Sequence, residues 1–478
     1  MDEGVSLRTD QIADLAVYIR DRKVLNLSDP GTGKTPAVCV MQYFRWNEEK
    51  KGTVWVMPKS LLRKNKRELH RFTQFADEDV VVVDGTPSQV KMQLASGAAV
   101  FLMGPRRFAL SYKQLPKYVT AIDIDEFHMG FKSATSQQTQ ALFNIFDVGG
   151  YTDFIAMTGS IINGRLNSVY PAVHVVEPRY YASASDFDNY HGIRDWDNKI
   201  IGWGNHDKIS KIFHRHGIRR TFAQVHGEQE VIFMPEMAKM IPTQRRMYDK
   251  FHNEAILELE RFFLDGTQPG VAFIRSRQLM EHPNHFPDLT TPGEFVDVMP
   301  DEVPMKEELL DIHLEHHAST GKPLIIFSSM RPQQVRIEAM LKHHKFAYGV
   351  INGDTPDKER DRVDVAFQEG RITVILCSPP CAAVGYNWQF CGDQEVDHVI
   401  FMTLGYLDTE VSQAYKRAIR GKRKSPLLVT IMEYEDSVDQ HVIGIIYRKS
   451  VDAHKVDPTY KILQLSGFEK DYSIKDPL

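Results

Sequence analysis

Apolar residues along this chain fall into two patterns, and the change between them outlines the architecture. In the first third, short apolar runs alternate with helix-like stretches: Val24–Ser28, Thr53–Met57, Asp79–Val83, Ala98–Met103, Val119–Ile124 and Asp153–Thr158. The runs are continuously apolar, not alternating, which predicts strands buried on both faces of a helix-covered parallel sheet. A second set follows at Pro323–Phe327, Tyr348–Ile351, Ile372–Cys377, His398–Met402 and Leu427–Met432. Two such sets predict two doubly wound α/β lobes. Between them aromatic and charged residues dominate, and QRRMYDKFHNEAILELERFFL predicts a long amphipathic helix. The expected division is a first lobe at 1–165, a mainly helical region at 166–305, a second lobe at 306–448, and a tail or brace at 449–478.

Composition narrows the class. Charged residues at 25% and hydrophobic ones at 42% are ordinary globular values, which excludes wholesale disorder. No apolar run reaches the ~18–20 residues of a membrane span, and MDEGVSLRTDQ lacks the basic and apolar regions of a secretory leader. Four cysteines exclude a disulfide scaffold and suit a reducing compartment. A soluble intracellular protein is therefore expected. The net charge of -5 is unlike a small basic nucleic-acid module, so a polyanion would need locally concentrated basic residues.

Candidate chemistry begins at Ser28-Asp-Pro-Gly-Thr-Gly-Lys-Thr35, between the first predicted strand and a helical stretch. That is the context of a phosphate-cradling loop. Gly31 and Gly33 let the backbone around Thr32 turn its amides toward phosphate, Lys34 reaches the β/γ oxygens, and the Thr35 hydroxyl can ligate magnesium. Ser28 stands where the usual pattern has glycine. Ile122-Asp-Ile-Asp-Glu-Phe-His128 ends a later strand, placing carboxylates at the edge where ligands bind. Asp125 can hold magnesium and Glu126 can orient or deprotonate the attacking water. Together the two motifs predict an ATP- and Mg2+-using NTPase.

These pieces resemble a superfamily 2 helicase motor of the Swi/Snf-like branch. Leu7-Arg-Thr-Asp-Gln11 is similar to the family's upstream glutamine motif, which implies that Gln11 reads the adenine edge. Pro58-Lys-Ser-Leu-Leu62 resembles a motif that touches a DNA strand. Met157-Thr-Gly-Ser160 with Asn163 resembles the segment coupling hydrolysis to DNA engagement, implying roles for Thr158 and Ser160. Ile218-Arg-Arg220, Gln244 with Tyr248, and Arg277-Gln278 with His282-Pro283 follow in the family's order. In the second lobe, Ser328, Gly385 and Asn387 fall in DNA-facing motifs, and Gln413, Arg417 and Arg420 match the last motif. The fold so implied is two tandem RecA-like lobes. Ala382-Ala383 before Gly385, Lys416 before the first arginine and Lys422-Arg423 after the second depart from the family pattern. With the resemblance spanning about 7–432, it implies a stripped-down motor of the kind bacteria and phages encode, in the cytoplasm of a bacterial or phage-infected cell.

Charge adds two further expectations. Gln413, Arg417 and Arg420 have i, i+4, i+7 spacing, predicting one helix face whose arginines neutralise charge on the γ-phosphate. Lys59, Arg63, Lys64, Lys66, Arg67 and Arg71 face a single acid, Glu68, within their own stretch, so they predict a phosphate-backbone track, beside Ser60, whose DNA contact the resemblance implies. Cys377, Cys381 and Cys391 lack zinc-knuckle spacing and read as core, as do Trp388 and Phe390. His313 and His317 read as a solvated helix face. The reading is a DNA-dependent ATPase moving along double-stranded DNA without membrane association. The alternatives are a branch-migrating or unwinding helicase on forks, and an ATP-gated DNA clamp.

Overall fold

The computed structural model describes residues 6–159, 162, 165–259, 262–265, 267–291, 293–382, 385–463 and 465. Two compact units result, 1–228 with 449–462 and 229–448 with 463–478. The stretch expected to stand between two lobes is thus shared, its first part in one unit and the rest in the other.

The first unit is built on seven parallel strands. Their spatial order is Val80–Val82, Val100–Met103, Gly52–Val56, Val119–Ile124, Asp153–Met157, Lys23–Asn26 and Gly217–Ile218. Continuous apolar runs produce this because both faces are covered: Val54, Trp55, Val56, Phe101, Ile122 and Phe154 have no exposed surface. The second unit repeats the arrangement with six parallel strands, in the order Val231–Ala238, Leu427–Tyr434, His398–Phe401, Leu324–Phe327, Val374–Cys377 and Tyr348–Ile351. Both units are doubly wound α/β lobes.

Val231–Ala238 has no counterpart among the predicted strands. It lies at the sheet edge, where Pro235 is tolerated because only one side of the strand is paired. The predicted long helix also divides. It runs over Pro242–Glu254, stops where Ala255 enters the left-handed region (φ 55°), and gives way to a hairpin of Ile256–Leu259 with Phe262–Asp265. The two-residue alternation Ile-Leu-Glu-Leu suits a strand, and buried Leu257 pairs with buried Leu264 across the ladder. The expected mainly helical region therefore also carries β-structure.

Helix Met305–Thr320 corrects a second expectation. His317 is buried and His313 half-buried, because the helix packs on the unforeseen edge strand: His313 Nε2 lies 2.7 Å from Glu236 Oε2. His317 Nε2 is 2.9 Å from His398 Nδ1, and His398 Nε2 is 2.8 Å from Thr430 Oγ1. Nearby, Lys306 is buried with its ammonium 2.7 Å from both Glu281 and Asp439. Trp388 is buried as expected, but Phe390 is exposed.

Burial, with the neighbouring His317, His313 and His316, pushes the His398 pKa down to about 3. An unfolded histidine near pKa 6.5 takes up its proton first, so stability held by neutral His398 is full above pH 6.5 and declines as pH falls toward 3. The slope is up to about 1.4 kcal/mol per pH unit. Urea denaturation at pH 7 and pH 5 should show a larger loss for the wild type than for His398→Asn. Equal losses would contradict this account.

Candidate nucleotide site

The phosphate loop leaves the carboxyl end of Lys23–Asn26 and turns into helix Lys34–Glu49. Gly31 and Gly33 take positive φ (84° and 81°), and a Cβ on Gly33 would lie 2.8 Å from Gln11 Nε2. The first-turn N–H groups of the helix have no intrahelical acceptors and form a ready anion cradle. Lys34 donates to the carbonyls of Ser28 (2.7 Å) and Asp29 (3.1 Å). Burial pushes its pKa down, with Glu126, Asp125 and Asp29 acting in the opposite sense.

Helix Thr9–Asp21 braces this loop. Gln11 donates from Nε2 to Gly33 O (2.9 Å) and accepts from the Arg8 N–H (2.9 Å), while Arg8 donates to Thr32 O. The residue expected to read adenine is therefore bonded to the loop that would hold the phosphates. Ser28 uses its hydroxyl to accept from the Arg220 N–H (3.2 Å).

Asp125 and Glu126 follow strand Val119–Ile124, two strand spacings (about 10 Å) from Lys23–Asn26. Burial and the neighbouring Glu126 push the Asp125 pKa up to about 6 against the pull of Lys34. Glu126 sits in the left-handed region at φ 49°, strain of the kind that collects at functional positions. Beside it, His128 Nδ1 lies 2.9 Å from Thr158 Oγ1, and burial lowers the His128 pKa to about 4. Gly159 abuts the loop so closely that a Cβ would meet Pro30 Cδ at 2.6 Å. The coupling segment and the phosphate loop are thus in contact through Gly159, whereas Ser160 and Asn163 lie outside the described residues.

His128 and Asn65 were absent from the expected site. The histidine of the D-E-x-H box is the signal that could have revealed the first. Asn65 is buried on helix Leu62–Phe72 and donates to Asp125 Oδ2 (3.3 Å) and Met57 Sδ. No local spacing announces that contact. A Thr35 hydroxyl and an Asp125 carboxylate are hard oxygen donors, the chemistry magnesium requires.

The basic helix keeps part of its expected character. Ser60, Arg63, Lys64, Arg67 and Arg71 are exposed. Lys59, also exposed, pairs with Asp84 (3.2 Å), and half-buried Lys66 pairs with Asp77 (2.7 Å). Acids from outside the segment meet two of its bases, which counting Glu68 alone could not foresee.

In the second unit the expected arginine face does not form. The helix covers Asp408–Tyr415, a 3-10 turn follows at Lys416–Ala418, and Ile419 is extended. Arg420 therefore leaves the helical face of Gln413 and Arg417, both buried, and donates to Tyr386 O (2.7 Å). Its N–H and that of Gly421 both reach Gln389 Oε1. This joins it to the loop holding Gly385 and exposed Asn387. Ser328 corrects a further expectation: it has no exposed surface, and its hydroxyl donates to Gln333 Oε1 (2.6 Å), so no DNA contact is open to it in this structure.

Residues 305–422 match the helicase conserved C-terminal domain. Similar proteins include the zebrafish (Danio rerio) chromodomain-helicase-DNA-binding protein 1-like, 22% identical over 94% of this chain and 43% of its own length. Two Saccharomyces cerevisiae proteins are also 22% identical: nuclear protein STH1/NPS1 (82% of this chain, 30% of its own) and the ISWI chromatin-remodeling complex ATPase ISW1 (86% and 37%). The chain spans less than half the length of these curated relatives. A solved SWI2/SNF2 ATPase core from Sulfolobus solfataricus in complex with dsDNA aligns over 95% of this chain and 94% of its own, with TM-score 0.42 and 17% identity. The three curated relatives named above are eukaryotic and one is called nuclear, which overturns the expected bacterial or phage-infected cytoplasm. Among the described residues no helix is long and apolar enough to cross a membrane.

Arg45, on the phosphate-loop helix, is fully buried and gives both oxygens of fully buried Asp123 a 2.9 Å hydrogen bond from Nη1, while Gln42 donates to the same carboxylate. Arg45→Met strands that carboxylate and should cost about 3–5 kcal/mol in urea denaturation. Arg45→Met/Asp123→Leu should recover a large part of the loss, and a double variant no better than the single one would contradict the pairing.

Proposed function

From its similarity to Swi/Snf-like superfamily 2 proteins, we propose that this chain is a DNA-dependent ATPase that translocates on double-stranded DNA. The observation that carries the reading is the convergence, on neighbouring strand ends of one sheet, of the Lys34 loop, the Asp125–Glu126 pair and the His128–Thr158 link. Lys34 and the loop amides, through Gly31, Thr32 and Gly33, bind the triphosphate. Thr35 and Asp125 would hold a magnesium ion, which would supply neutralisation of phosphate charge. Glu126 orients and deprotonates the attacking water. His128, neutral at pH 7, links the D-E-x-H box to Thr158. Gln11 fixes the loop against the N-terminal helix.

The DNA contacts belong to the exposed face of helix Leu62–Phe72, where Arg63, Lys64 and Arg67 meet backbone phosphates. Asn65, on its buried side, ties that helix to Asp125. One feature favours the fork-acting alternative: Trp196, 92% exposed, lies in the turn of the antiparallel hairpin Gly192–Arg194 with Ile200–Trp203, an aromatic side chain open to stack on a base.

Lys34→Ala and Glu126→Gln should differ in kind. The first loses a phosphate contact and weakens ATP binding. The second keeps ATP binding but turns over at least ~100-fold more slowly, the scale of a lost general base. Glu126→Gln hydrolysing at the wild-type rate with saturating DNA would refute the assignment.

Replacing Arg63, Lys64 and Arg67 together by Ala should lower the salt slope of duplex binding by ~1–2.7 units, up to about 0.9 per phosphate contact. Affinity should fall alike for unrelated duplexes, because such contacts carry no base information. An unchanged slope, measured by titration across salt concentrations, removes the track.

A further inference from the structure

The phosphate loop contains an acid. Asp29 precedes the glycines that turn toward phosphate, and a carboxylate there works against a triphosphate carrying several negative charges. The structure meets that charge from one side. Arg219, following strand Gly217–Ile218, donates from Nη1 to Asp29 Oδ1 (2.8 Å) and to the Leu27 carbonyl (2.9 Å). The other Asp29 oxygen accepts from the Phe222 N–H (2.9 Å), and His226 Nε2 lies 3.0 Å from Gly31 O. One short segment thus grips three successive parts of the loop.

The same guanidinium has a second anchor. Its Nε donates to Asp457 Oδ2 (2.5 Å) and Thr459 Oγ1 (3.1 Å), in the C-terminal segment that folds into this unit beside Ala453, Val456 and Tyr460 of its core. Arg219 is only 17% exposed at its side chain. Burial opposes its charge, but Asp29 and Asp457 outweigh burial and raise its pKa. Its field reaches the catalytic lysine, where it acts with burial to lower the Lys34 pKa.

Resting on the reading that this loop binds ATP, we propose that Arg219 is a positioning residue that cancels the Asp29 charge inside the phosphate loop and is held for that task by Asp457 and Thr459. The nucleotide site therefore extends to the C-terminal segment, and ATP affinity depends on the Asp29–Arg219 charge balance. Neither residue touches the reacting atoms.

Charge cancellation and mere scaffolding predict opposite results, read as the equilibrium affinity of the full chain for Mg–ATP without DNA. Asp29→Asn keeps shape and an acceptor oxygen but removes the opposing charge, so ATP should bind ~3-fold or more tightly. Arg219→Gln should bind at least ~10-fold more weakly, and Arg219→Gln/Asp29→Asn should return to within ~3-fold of wild type. Arg219→Lys, which keeps the charge, should stay close to wild type. Unchanged or weaker binding by Asp29→Asn overturns the proposal, and that variant alone decides it should Arg219→Gln fail to fold. A double variant as weak as Arg219→Gln overturns it equally. A wild-type chain that binds no ATP would instead bring down the nucleotide reading on which the proposal rests.

Discussion

The candidate site depends on one constraint: two parallel strands, Lys23–Asn26 and Val119–Ile124, must end level with each other. Because all seven strands of the sheet run the same way, every carboxyl end opens on one edge. The buried Arg45–Asp123 pair fixes the level from beneath, since Arg45 belongs to the phosphate-loop helix and Asp123 lies two residues before Asp125. A slip of one residue along either strand would turn these side chains to the opposite face. Everything catalytic then follows by short reach. Lys34 is delivered by the helix, Asp125 and Glu126 by the strand, and Thr158 by the strand between them.

Around that frame, charge is managed by pairing. Asp29 is met by Arg219, Asp14 by Arg220, and Asp125 by Asn65. Each partner comes from a different part of the chain, so nucleotide binding, the basic helix and the C-terminal segment share one electrostatic setting. His128 is the exception: burial lowers its pKa, and its Nδ1 lies 2.9 Å from Thr158 Oγ1.

Much of this was legible in the residues. Eleven apolar runs mark eleven of the strands to within a residue or two, because strands buried on both faces leave no room for polar alternation. The phosphate loop and the D-E-x-H box are local motifs whose chemistry needs adjacent residues. The misses share a cause, which is dependence on distant partners. Edge strand Val231–Ala238 reads weakly because only one side of it pairs. His317 is covered by that strand and by His398, partners that the helix's own spacing does not reveal. Gln333 claims the hydroxyl of Ser328, and the helix carrying Gln413 ends before Arg420. Spacing reports what one element can present and is silent on which element will cover it.

The central claim is that ATP hydrolysis by this chain is driven by duplex DNA. Turnover should be measured with no DNA, with blunt duplex, with single strands and with a fork, at one fixed ionic strength. The account predicts low basal turnover and strong stimulation by duplex, with no strand separation needed for it. Stimulation by forks alone would favour the fork-acting alternative. Equal turnover with and without any DNA would contradict the account.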